Sequence, residues 1–217
     1  MKNLIDLVEE LEKEGFIKSQ RVKDAMLKID RKNFVPFLHK NEAYIDEPLP
    51  IGDNQTISAP HMVAIMLELL EIQNGMKVLE IGTGSGYNAC LMEYLAYPGK
   101  VITIERLKSL YYFSQGNIKN CPYSENIKII LGDGSQGFPE DAPYDRIVVT
   151  CGSPDLPKVL IDQLSDNGIL VIPIGGHYYQ DLYRIIKKKD EIIKEFHGSV
   201  AFVPMIGKFG FKEEFYM

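Results

Sequence analysis

The chain has 217 residues, 45% of them hydrophobic, and a formal net charge of −6, enough to bury one full core and too little for two complete domains. The negative balance argues against a partner held through a phosphate backbone, so no nucleic acid partner is expected. No run has transmembrane length and the first residues mix charge into their apolar pattern, so the expected location is cytoplasmic, with no membrane partner. Cys90, Cys121 and Cys151 form no Cys-x-x-Cys pair and the four histidines show no ligand spacing; reduced thiols, no disulfide framework and no metal are expected.

Leu4, Leu7, Val8 and Leu11 recur on one face between Asn3, a cap, and Gly15, a stop, which predicts a helix over 4–14. Ser19 can cap a second helix whose stripe is Val22, Ala25, Met26 and Ile29, broken by the Asp30–Pro36 stretch. From Ala43 to Ser58 the pattern dissolves into a loop punctuated by Pro and Gly, of the length that usually serves function. Helical periodicity resumes through Met62, Ile65, Met66, Leu69 and Leu70, with Ser58 or Ala59 at the N-terminus and Pro60 in the first turn. An apolar strand, Val78-Leu-Glu-Ile81, then enters a turn bearing Gly82, Gly84 and Gly86 before a helix that begins at Ala89.

Strand and helix alternate afterwards: strand 100–105, helix 107–119, strand 126–131, strand 144–150, helix 156–164 and strand 168–174. Alternation of this kind predicts an α/β fold, a doubly wound and mostly parallel sheet of about seven strands, with its ligand at the carboxyl ends of the strands. Beyond Gly176 the period falls to two and no crossover helix fits, so the sheet should finish as antiparallel strands, with the lysines of 187–189 at a solvated hairpin tip. Residues 1–75 read as a helical segment with the active-site loop, packed on a core of 76–217 as one structural unit.

The glycine spacing is wrong for a pyrophosphate, because the third glycine comes one residue early and Tyr87 takes its place. With Glu80 two residues ahead of Gly82, the turn resembles the acid-x-Gly-x-Gly-x-Gly signature of S-adenosylmethionine-dependent methyltransferases, whose cofactor carries cationic groups and no phosphate. Glu105 stands where a ribose-binding acid belongs, at the end of the next strand. Gly132-Asp133-Gly134 offers a carboxylate to an exocyclic amine and bare backbone to a flat base.

Over nearly its whole length the chain resembles the protein-L-isoaspartate O-methyltransferases. The motifs are Arg31-Lys-Asn-Phe-Val-Pro36, Pro48-Leu-Pro-Ile-Gly52, Gln55-Thr-Ile-Ser-Ala-Pro-His61, the glycine turn, Gly132-Asp-Gly134, Ala142-Pro-Tyr-Asp-Arg-Ile147 and Val171-Ile-Pro-Ile-Gly175. The resemblance implies methyl transfer from S-adenosylmethionine, leaving S-adenosylhomocysteine, to the free α-carboxylate of isoaspartyl residues in proteins and peptides. It makes Ser58 the catalytic residue and places Gln55, Thr56, Ile57, Glu80, Gly82, Thr83, Gly84, Glu105, Arg106, Asp133 and Gly134 around the cofactor. Ser58 has two compatible readings, orienting donor and helix cap. The aromatic stretch 207–217 is open to covering the site or to self-association. A methyltransferase of the same fold acting on a small molecule or RNA is the alternative. The aromatic-Pro motif that would favour amino-nitrogen methylation is replaced by Thr150-Cys-Gly-Ser-Pro154.

Overall fold

The structure is a computed structural model that describes residues 2–189 and 191–213; Asp190 and residues 214–217 of the aromatic C-terminal stretch lie outside the described residues. Asn3 closes a capping box with Asp6 at the start of α1 (Leu4–Lys13), and Gly15 follows it at φ 81°. Ser19 caps α2 (Gln20–Lys28) by accepting from the Val22 N–H. The apolar stripes of α1 and α2 are buried against each other and against α3 (Pro60–Leu70).

Within the stretch predicted as loop the chain makes a small hairpin, β1 (Leu49–Gly52) antiparallel to β2 (Gln55–Ile57). Asp53 and Asn54 take positive φ, 48° and 56°, the turn geometry that matches the twist of two-residue hairpins. Leu49, Ile51 and Ile57 point into the core.

Seven further strands form the main sheet: β3 (Lys77–Ile81), β4 (Lys100–Glu105), β5 (Ile127–Leu131), β6 (Tyr144–Val149), β7 (Leu164–Gly175), β8 (Gln180–Lys188) and β9 (Glu191–Val200). Their order is β5-β4-β3-β6-β7-β8-β9, parallel up to β7 and antiparallel beyond it. Helices α4 (Tyr87–Ala96), α5 (Lys108–Ile118) and α6 (Lys158–Gln163) supply the connections. Both faces of the parallel strands are covered, which is why they read as continuous apolar runs. Val78, Val101, Val148 and Val171 join the cluster with α1 to α4, while Leu79, Ile81, Ile102, Ile104 and Ile147 join the one on the other face. The strand order turns back at β3, between β4 and β6, and that switch point opens a crevice at the strands' carboxyl ends.

Two expectations fail. Cys90 and Cys121 form a disulfide that spans 31 positions, with Cα atoms 6.0 Å apart; Cys151 is free and buried. Packing of α4 against the turn after α5 brings the pair together, so no local spacing announces it. Lys187 is not part of a solvated tip. It lies in β8 and its Nζ donates to the carbonyls of Ile161 and Leu164, 2.8 and 2.6 Å away, closing the end of α6.

Candidate active site

The β3–α4 turn is built for a ligand to approach its backbone. Gly82 and Gly84 lie at φ 97° and 54°, which side chains resist, and a Cβ on Gly82 would stand 2.5 Å from Thr150 Oγ1. Gly82 N–H donates to Ile104 O at 2.9 Å, and Thr150 Oγ1 donates to Gly82 O at 2.7 Å, so the turn is tied to both neighbouring strands. Tyr87 is buried at the start of α4, its ring 5.3 Å from that of Phe34.

Glu80 is wholly buried beneath the turn. Its Oε1 accepts from Asn88 Nδ2 at 2.9 Å and its Oε2 from Thr103 Oγ1 at 2.6 Å, and Thr103 Oγ1 lies 2.6 Å from Thr83 Oγ1. Burial pushes the carboxyl up to about 8; the hydrogen bonds from Thr103 and Asn88 work against that, and the neighbouring Glu105 adds to it. Asn88 Oδ1 is buried with no hydrogen-bond partner among the described residues.

At the end of β4, Glu105 is buried to 6% exposure and its carboxylate accepts from Gly84 N–H and Leu107 N–H, both at 2.9 Å. It therefore braces the glycine turn from the next strand. Arg106 is exposed and pairs with Glu213 at 2.9 Å. After β5, Gly134 and Ser135 face the crevice. Asp133 does not. It caps the short turn that follows by accepting from Ser135 N–H at 3.0 Å on Oδ1, and its Oδ2 accepts from Lys208 N–H at 2.8 Å, beside the C-terminal segment that walls the cavity.

Ser58 follows β2 and is half-buried on the opposite wall. The capping role expected for it falls away: Ala59 occupies the N-cap of α3 without a side-chain bond, and Asp46 caps the helix instead, accepting from His61 N–H at 2.8 Å and meeting His61 Nδ1 at 2.9 Å. The Ser58 hydroxyl makes no hydrogen bond among the described residues, and its carbonyl accepts from Arg31 Nη2 at 3.1 Å.

These walls enclose a cavity of about 1000 Å³. Gln55, Thr56, Ile57 and Ser58 line one side, and Glu80, Gly82, Thr83, Gly84, Glu105 and Arg106 the other. Gly134 and Thr150 complete its floor, and Val203–Gly207 with Phe211–Glu213 form a third wall. Sequence reasoning missed Asn88, Thr103 and Thr150. Thr103 lies twenty-three positions beyond Glu80 and meets it only through the parallel β3–β4 register, and Asn88, eight positions beyond, meets it because the glycine turn folds the first turn of α4 back over β3. The residues present fit S-adenosylmethionine: buried carboxylates for a cation and for vicinal hydroxyls, an orphaned acceptor on Asn88, and a turn free of side chains.

The family model described as protein-L-isoaspartate(D-aspartate) O-methyltransferase matches residues 2–210. A protein-L-isoaspartate O-methyltransferase of Methanopyrus kandleri is 51% identical over 209 residues, 95% of this chain and 92% of the relative. One of Thermococcus onnurineus is 51% identical over 208 residues, 95% and 94%. Among solved structures, the Plasmodium falciparum protein-L-isoaspartate O-methyltransferase in complex with S-adenosyl-L-homocysteine superposes with a TM-score of 0.84 at 34% identity, covering 95% of this chain and 99% of that one.

Proposed function

The chain belongs to the protein-L-isoaspartate(D-aspartate) O-methyltransferase family, and from that premise we propose how its own residues carry the reaction. It is an S-adenosylmethionine-dependent methyltransferase acting on the free α-carboxylate of L-isoaspartyl residues in damaged proteins and peptides, which begins repair through a succinimide. One observation supports the assignment of roles above all: the uncommitted hydroxyl of Ser58 faces the acid-bearing glycine turn across a single cavity.

When bound, S-adenosylmethionine supplies an electrophilic sulfonium methyl. Glu80 and the free Oδ1 of Asn88 hold its cationic end, with Gln55, Thr56 and Ile57 opposite. Glu105 accepts from the ribose hydroxyls, and Gly134 leaves room for the base. Thr83, within the glycine turn, and Arg106, just after β4, line the same wall of the cavity. Asp133 acts at one remove, anchoring through Lys208 the segment that walls the cavity.

The acceptor, a carboxylate with a pKa of about 4, is already an anion at neutral pH, so no residue has to remove a proton from it. Among the described residues no histidine lines the cavity. Ser58 would donate to one carboxylate oxygen and leave the other free to act as the nucleophile. The Val203–Gly207 wall keeps water out. Alignment and exclusion of water together can supply roughly 7 to 11 kcal/mol of the acceleration.

In the same proposal residues 1–75 and 76–217 work as one unit, polypeptides are the partners to the exclusion of nucleic acid and membranes, and the enzyme resides in the cytoplasm; among the described residues no helix is long and apolar enough to cross a membrane. The test is methyl incorporation from labelled S-adenosylmethionine into an isoaspartyl peptide and its aspartyl twin. Strong preference for the isoaspartyl peptide is expected. Comparable rates on the two would defeat the reading.

A further inference from the structure

Resting on the role proposed for Ser58, we infer that Arg31 is a positioning residue that sets where the Ser58 hydroxyl stands. Arg31 leads the short turn after α2 and is 0% exposed, among the largest fully buried side chains of the protein. Its two terminal nitrogens bond main-chain carbonyls remote in sequence, while Nε is buried with no hydrogen-bond partner among the described residues. Nη1 donates to Ala43 O at 2.7 Å, and Nη2 to Glu47 O at 3.0 Å and Ser58 O at 3.1 Å. Ala43 and Glu47 lie ahead of the β1–β2 hairpin and Ser58 directly after it, so the three carbonyls bracket the segment that carries the hairpin to the cavity. Among the described residues no carboxylate hydrogen-bonds the guanidinium. A buried cation without a bonded anion is costly, and a structural ion pair would have been the cheaper way to fill the space. A planar fork reaching three carbonyls from one point fixes the relative placement of the segments that flank the β1–β2 hairpin. The Ser58 carbonyl is the last of the three, its carbon one bond from the Cα whose hydroxymethyl group carries the hydroxyl. The other end of that peptide leads through Ala59 into α3, where Asp46 accepts from the His61 N–H. Ser58 is therefore fixed from both directions, by Arg31 before the helix and Asp46 within it.

Lysine at this position keeps the charge but cannot span three carbonyls. Arg31→Lys is expected to lower kcat on an isoaspartyl peptide on the order of tenfold or more, since a displacement of about 1 Å can cost on the order of a hundredfold. The dissociation constant for S-adenosylhomocysteine should change far less than kcat, because Glu80, Glu105 and Gly134, assigned to most of the cofactor, stand on elements that Arg31 does not tie. The decisive measurement is a double-mutant cycle with Ser58→Ala. If Arg31 acts through Ser58, Arg31→Lys adds less than about twofold in the Ser58→Ala background. Multiplicative effects, or parallel loss of cofactor affinity, overturn the inference while leaving Ser58 its role. Full activity of Ser58→Ala overturns the role of Ser58 and this inference with it. Whatever the variants' stability, a crystal structure of the unmutated protein with S-adenosylhomocysteine should retain the Arg31 to Ser58 bond, and its absence there would also overturn the inference.

Discussion

Replacing Glu80 by Gln tests whether the buried carboxylate couples cofactor binding to a proton. Without ligand, burial holds this carboxyl at about 8, from an ordinary value of 4.5. At pH 7 roughly nine molecules in ten then carry the proton. A cationic group beside Glu80 favours the anion and draws the pKa down, so filling the site at pH 7 should release on the order of 0.9 proton. The sign follows from proton counting. Between about pH 6 and 8 the free protein binds more protons than the complex, so affinity rises with pH, by up to about tenfold or 1.4 kcal/mol per unit, and levels off above about 8. The same raised pKa means that the unliganded folded state binds more protons than the unfolded chain, so Glu80 costs stability increasingly as pH climbs from 4.5 to about 8. Titration calorimetry with S-adenosylmethionine in two buffers of different ionisation enthalpy counts the protons directly. The wild type should release nearly one and Glu80→Gln nearly none, with a flat pH dependence. A wild-type count near zero, or a count that Glu80→Gln leaves unchanged, would refute the coupling.

Ser58→Ala should lower kcat by about tenfold or more at an unchanged melting temperature, while Asp46→Ala, which removes the real cap of α3, should cost about 1 kcal/mol of stability; the opposite pattern in calorimetric melts would return Ser58 to a structural role. Glu105→Ala should weaken S-adenosylmethionine binding by about 1.5 to 3 kcal/mol, read by calorimetry, and an equal dissociation constant in the folded variant would remove Glu105 from the site. Glu93 has a buried, unpartnered Oε2 and is pushed by burial up to about 7, so it costs stability as pH rises from 4.5 to about 7. Glu93→Gln should stabilise by up to about 3 kcal/mol at pH 8 and not at pH 5, and equal shifts in thermal melts at the two pH values would count against it. Opening the Cys90–Cys121 link by Cys90→Ser should cost up to about 4 kcal/mol from loop entropy; a reductant should lower the melting temperature of the wild type only, and no change in the wild type would contradict the bond.

What the sequence made legible was whatever depends on local spacing. The apolar run Val78–Ile81 and its glycines predict a strand and a turn because backbone geometry and burial act there over a few residues, and Glu105 follows from the regular length of a strand–helix–strand unit. The β1–β2 hairpin was within reach, since Asp53-Asn54 between buried Ile51 and Ile57 is turn chemistry, but Pro48, Pro50 and Gly52 read more strongly as loop. Asp46 was out of reach. A cap supplied from 15 residues upstream has no period, and Ser58 next to the helix start looked the better candidate. Asp133 was located by its strand end, but its bonds to the backbone of Ser135 through Oδ1 and of Lys208 through Oδ2 were not, because Lys208 lies 75 positions away. Cys90 and Cys121 meet only after two helices have packed.

The placement of Ser58 has a consequence for the proteins on which the enzyme works. Ser58 is half-buried and lines one cavity with the Val203–Gly207 wall, and in the role proposed for it the group it meets is part of the client's main chain. A damaged residue inside an intact helix or strand cannot bring its own backbone into such a cavity. Repair of a folded client is then governed by the client's breathing: where local opening costs about 3 kcal/mol, roughly one molecule in 150 is open to repair at any instant. Frayed ends and loops are mended first, and a lesion in a rigid core waits for its host to loosen.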